Sequence, residues 1–269
     1  MSEPAPSQRS LWQQLDFAQS SVMPLPLWKP STLRSGYTAK AVPVDSSAIA
    51  TAEASGLSGY HAAIASWAVL ISRYLKVPNV AVGVLEKSYG PGHNSAEPLA
   101  LVVPAHPDAL LADVCAQVQA GLCDAVDIAQ VVRLRDLPPG QQLFGTLVVS
   151  DTASPCSHDM QHHHCSLALQ YAAGQDIPLI HIAYDQAVYA DEAIQELAVQ
   201  FSTVFAALLT TLSASSCQGS VRVKDLPWVN DGQKARLLEL ATVPATNKGS
   251  FPNSPGTSIQ AQFSDWAWK

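Results

Sequence analysis

Ile177-Pro178-Leu179-Ile180-His181-Ile182-Ala183-Tyr184-Asp185, running through Gln186 to Ala190 into Asp191-Glu192-Ala193-Ile194, is the stretch that decides the fold. Ile180, Ile182 and Tyr184 fall on one side of an extended chain, with His181 and Ala183 on the other, which predicts a strand. A short turn over 186–190 leads to Asp191, a residue type that can cap a helix. Beyond it Ile194, Leu197, Phe201, Val204, Phe205, Leu208 and Leu212 recur at three- and four-residue steps, so the spacing predicts a long amphipathic helix packed back on the strand.

Working upstream, Cys165 to Tyr171 alternates, with Cys165, Leu167, Leu169 and Tyr171 opposite Ser166, Ala168 and Gln170. Gly174 supports a turn between this strand and the one at Leu179, giving an antiparallel hairpin. Phe144–Ser150, Leu99–Val103 and Val80–Leu85 are apolar runs of strand length. Three helices alternate with them. A weak one covers Ser46 to Glu53. A strong one starts after the cap Ser58, with Tyr60, Ile64, Trp67, Ile71 and Tyr74 in one stripe, and stops before Pro78. A third follows Asp108, read as its cap, and carries Leu111, Val114, Cys115, Val118 and Leu122 on one face. Strands interspersed with helices predict an α/β (α+β) fold with a mixed sheet covered by helices.

The chain has 269 residues, 48% hydrophobic and 14% charged, enough to bury a sizeable core. A net charge of −7 and a pI near 5.5 argue against a nucleic-acid partner, because phosphate neutralisation needs clustered Lys and Arg. No apolar run is read as a membrane span, and Met1 to Ser10 lacks a signal-peptide core, so the expected compartment is the cytoplasm. The five cysteines, Cys115, Cys123, Cys156, Cys165 and Cys217, are odd in number and show no Cys-x-x-Cys pair, in keeping with reduced thiols.

Several segments together resemble the second lobe of the condensation domains of nonribosomal peptide synthetases. A strand ending in Tyr184-Asp185 before a closing helix is one of them. Others are His61 to Tyr74 followed by Asn79 to Gly83, and Arg135-Asp136 followed by Leu143-Phe144. Trp12 to Pro30, with its Leu25-Pro26-Leu27-Trp28, resembles the passage out of the first lobe. Val223 to Pro227 and Lys234 to Leu240 resemble the exit toward an adenylation domain. Ile259, Phe263 and Trp266 resemble the start of that domain's first helix, and the natural chain is expected to continue. The resemblance implies one chloramphenicol acetyltransferase-like lobe over 46–229, an extended N-terminal segment over 1–45, a linker over 230–258, read as a short helix from Gly232 to Leu240 and a Pro/Gly/Ser/Asn-rich stretch from Pro244 to Ser258, and the start of an adenylation domain over 259–269. It implies as partners the adenylation domain of the same polypeptide and a peptidyl carrier domain.

The departures set the functional expectation. The family's catalytic signature, His-His-x-x-x-Asp-Gly, belongs to the first lobe and has no match here. His162-His163-His164 is followed by Leu167-Ala168-Leu169 where Asp-Gly would stand, and Leu99 to Val103 lacks the family's strand Asn. No catalytic and no cofactor-binding residue is assigned. The expected function is a truncated, non-catalytic condensation-like domain that serves as a platform for the adenylation domain. The alternative is half of an acyl or peptidyl transferase, completed by a lobe from another chain. Cys156, His158, His162 and His164 are zinc-binding residue types in one loop. Because neighbours entering a strand point to opposite faces, a solvated His-rich loop is the preferred reading and no metal is assigned. Tyr184 and Asp185 are read as a packed ring and a turn-closing carboxyl, and His181 has no nucleophile beside it in sequence.

Overall fold

The computed structural model describes residues 36–86, 98–123, 126–127, 144–150, 165–172, 178–214 and 221–227, with a few single positions outside these ranges. Trp12 to Pro30, Arg135-Asp136, Leu143, Gly174, most of the linker and the terminal helix at Ile259 lie outside the described residues, as do Cys156, His158, His162 and His164. The chain divides into two compact units, Met1–Trp228 and Val229–Lys269.

The first unit contains β1 (Tyr37–Ala41), α1 (Ser46–Ala54), α2 (Gly59–Leu75), β2 (Asn79–Glu86), β3 (Leu99–Pro104), α3 (Leu111–Cys123), β4 (Val126–Asp127), β5 (Leu147–Ser150), β6 (Leu167–Ala172), β7 (Leu179–Asp185) and α4 (Asp191–Ser213). The strands form one sheet in the order β1-β7-β6-β5-β2-β3-β4. β5 lies parallel to both β2 and β6, and the other pairs are antiparallel, so the sheet is mixed as expected. The β6–β7 hairpin pairs Leu169 with Ile182 and Leu167 with Tyr184, which sets the apolar alternation of both strands on one face.

Helices α1 to α4 cover that face in a single core with Val82, Val84, Leu101, Val148, Leu169 and Ile182. α2 is buried all round, from Ala62 to Ser72, rather than along one stripe, because it is held among the sheet, α3 and α4. Trp67 is its deepest anchor. Its indole meets Phe201 edge-on at 5.9 Å, and its Nε1 donates to the buried Thr146 Oγ1 at 3.0 Å. Ser58 does cap α2, accepting from the His61 amide. The helix ends at Leu75, with Lys76 in the left-handed conformation at φ 55°.

α4 corrects one sequence expectation. By length and composition it is apolar enough to cross a membrane, contrary to the reading that no run qualifies. Its Ile194, Leu197, Phe201, Val204, Phe205 and Leu208 are instead buried against the sheet and α2, so its apolarity serves the core.

The opposite face of the sheet carries a second, smaller core built of Ala81, Leu85, Ala100, Val102, Leu147, Val149, Ala168 and Ala183. Leu11, Phe144, Met160 and Cys165 pack there too. Phe144 and Cys165, expected from sequence to be strand residues, lie just outside their strands. Cys165 joins this second core, not the side of Leu167, because the bend at Ser166 breaks the alternation. β1 has no counterpart among the strands expected from sequence. It pairs along β7 from Tyr37 with Asp185 to Ala41 with His181.

Candidate functional site

β7 and its turn build the motif that carries the family resemblance. Tyr184 is 1% exposed, with its ring under the start of α4. Its hydroxyl donates to Asp191 Oδ1 at 2.7 Å. Asp191 is therefore not the cap. Ala190 occupies that position without a side-chain bond, and Asp191 is the first helical residue, where a carboxylate also suits the helix dipole. Asp185 Oδ1 accepts from the Ala187 amide at 2.8 Å, closing the turn that Gln186 ties to β1 by donating to the Gly36 carbonyl. Tyr184 and Asp185 thus join a strand, a turn and a helix.

The second face of the sheet is lined by small side chains near its centre. One row runs Ala39, Ala183, Ala168, Leu147, Gly83, Ala100 across six strands. Gly83 is needed there, since a Cβ would come within 2.4 Å of the Phe144 ring. The next row places half-buried His181 beside buried Gln170 and Val149. No group of three metal-ligating side chains occurs among the described residues, and the His163 carbonyl lies 3.6 Å from Cys165 Sγ. Burial pushes the Cys115 and Cys165 thiols up to about 12, so both remain protonated at neutral pH and neither is an activated nucleophile.

A third feature is not evident from the sequence. Beyond residues 215–220, Val221–Leu226 returns to the lobe and straps across the start of α3. The Leu111 amide donates to the Val221 carbonyl at 3.0 Å, the Val223 amide to Ala109 at 2.9 Å, and the Lys224 amide to Pro107 at 2.9 Å. Val223 and Leu226 are 2% and 3% exposed. Asp108, expected to cap α3, instead receives Lys224 Nζ at 2.8 Å and stands 3.7 Å from Arg222 Nη1. Those two cations hold its carboxyl below the usual range, the Lys224 hydrogen bond being the larger cause. From beneath, Arg73 of α2 donates through Nη2 to the Val223 carbonyl. Burial lowers Arg73 to about 10, and its Nη1 is buried with no partner among the described residues. The sequence signal for the strap is weak: its apolar residues Val221, Val223 and Leu226 are interspersed with charged ones and mark no regular element.

No protein-family model matches the sequence, and no curated protein matches it. Solved structures do. The X-domain in complex with OxyB from teicoplanin biosynthesis superposes with a TM-score of 0.57 at 15% identity, over 83% of this chain and 55% of that one. The first condensation domain of the calcium-dependent antibiotic synthetase, in complex with a substrate analogue, gives 0.53 at 15% identity, over 83% of this chain and 53% of that one. The nonribosomal peptide synthetase FmoA3 in its AMPPNP-bound form gives 0.56 at 15% identity, over 97% of this chain and 30% of that one. The chain therefore has the α/β fold of condensation-type domains. It spans about half the length of the X-domain and of the single condensation domain.

Proposed function

We propose that this chain is a condensation-like lobe of a nonribosomal peptide synthetase, acting as a non-catalytic platform for an adjoining adenylation domain. One observation carries the reading: in a condensation-type lobe, the chain leaving α4 is docked back on the body through Val221–Leu226. A docked exit restricts where a following domain can stand, which a free linker would not do.

The test is removal of residues 1–228 from the parent synthetase, followed by soluble yield and amino-acid loading of its carrier domain. The platform reading expects both to fall. Equal yield and loading without the lobe would sink it.

A second reading, half of an acyl or peptidyl transferase completed by another chain, draws on the coverage of about half of the condensation domain. It requires that mixing this chain with a first lobe bearing His-His-x-x-x-Asp-Gly restores acyl transfer between carrier-bound substrates. Absence of transfer at high concentrations of both would exclude it.

A further inference from the structure

We infer that the Val221–Leu226 strap is a latch loaded toward opening, with Arg73 as the loading element and Asp108 as the clasp. Besides its three backbone hydrogen bonds to residues 107–111, the strap has three kinds of side-chain attachment, and they differ in sign. Val223 and Leu226 are buried apolar anchors that favour the docked state. The clasp lies outside: the side chains of Asp108, Arg222 and Lys224 are 54%, 47% and 52% exposed, so their attraction is modest and screened by salt.

Arg73 opposes them. With the strap docked the Arg73 guanidinium is half-buried and has one acceptor among the described residues, the Val223 carbonyl. That carbonyl already accepts from the Leu226 amide at 3.3 Å, so it would not be orphaned without Arg73. Nη1 is left buried with no partner among those residues. A half-buried charge with one donor nitrogen shut in and unsatisfied is held less favourably than in water, and opening the strap would rehydrate that nitrogen. The strap should therefore open as a unit while the sheet stays folded, in the manner of local openings seen where few contacts hold a segment. What the latch would orient rests on the platform reading, but its opening does not.

The experiment is amide hydrogen exchange on the full 269-residue chain, comparing the Leu111, Val223 and Lys224 amides with those paired between β6 and β7. In the unmodified protein the three strap amides should be protected yet exchange together, at least about tenfold faster than the β6–β7 amides. Arg73→Met should slow strap exchange several-fold, because a well-packed apolar side chain replaces a poorly satisfied charge. Asp108→Asn should speed it by a few-fold and abolish its acceleration by 0.5 M salt. The β6–β7 amides should stay within about twofold in both variants. Faster strap exchange in Arg73→Met would overturn the loading role and make Arg73 a pin. Strap amides exchanging at the β6–β7 rate, or at the rate of a free peptide, would overturn the latch itself. Should Arg73→Met fail to fold, the surface variant Asp108→Asn and the salt series still decide whether the clasp exists. The lobe-removal test can fail while this one succeeds, so the two readings are separable.

Discussion

Replacing Tyr184 with Phe removes one hydroxyl and leaves the buried ring in place. That hydroxyl donates to Asp191 Oδ1 at 2.7 Å, at the first residue of α4. Hydrogen bonds to charged groups contribute about 1.5–3 kcal/mol, but Asp191 is half-buried and water can replace part of the bond. A loss of about 1–2 kcal/mol follows. For a unit of this size each kcal/mol corresponds to about 2–4 °C in Tm, so Tyr184→Phe should melt about 2–8 °C lower. Tyr184→Ala also opens a cavity beneath α4 and should cost about 3–5 kcal/mol. Urea unfolding followed by far-UV circular dichroism measures both. A double-mutant cycle with Asp191→Ala should recover about 1 kcal/mol of coupling. A Tyr184→Phe variant as stable as the parent, or a cycle with no coupling, would refute the role given to this pair. The motif would then be a packed ring and nothing more.

Other outcomes follow from the same packing. Gly83→Val drives a side chain into the Phe144 ring, where even a Cβ would sit at 2.4 Å, and should destabilise by about 1–3 kcal/mol. Adding Phe144→Ala should return part of that loss in a Tm measurement, and no recovery would place the clash elsewhere. In alkali, burial raises Cys115, Cys165, Tyr74 and Tyr171 to about 12 from ordinary values of 9.0 and 10.0. A folded state that holds protons more tightly than the unfolded one gains stability that is fully present below pH 9 and is lost as pH rises toward 12. Urea midpoints should fall over that window, and Cys165→Ala should blunt the fall. Trp67→Phe leaves Thr146 Oγ1 without its indole donor and should cost about 1–3 kcal/mol by urea titration.

The hairpin and its helix are legible in the sequence because their physics is local. Alternation over Leu167–Tyr171 and Ile180–Tyr184 requires only that one face be apolar, and the steps from Ile194 to Leu208 require only helical geometry. β1 is not legible. Tyr37–Ala41 is an edge strand of small and polar residues that takes its conformation from pairing with β7, about 140 positions later. Asp108 and Asp191 resemble caps for a related reason. An acidic residue before a helix can satisfy several partners, and here the partners come from far away in sequence for Asp108, in Lys224, and from the adjoining strand for Asp191, in Tyr184. The strap is hidden because its anchors belong to three segments, with Arg73, Asp108 and Val223 meeting only in the folded lobe. The metal candidates in the His-rich loop present the opposite difficulty. Residue type suggests chemistry there, while nothing in the spacing requires convergence.

The platform claim is tested most directly by the distance between the lobe and the domain it would support. A spin label at the exposed position Thr210 of α4, paired with one on the adenylation domain of the parent synthetase, reports that distance by pulsed electron resonance. A lobe that holds its neighbour in place gives a single narrow distribution, broadened when Asp108→Asn loosens the strap. A broad distribution in the unmodified protein, unchanged by that substitution, would contradict it.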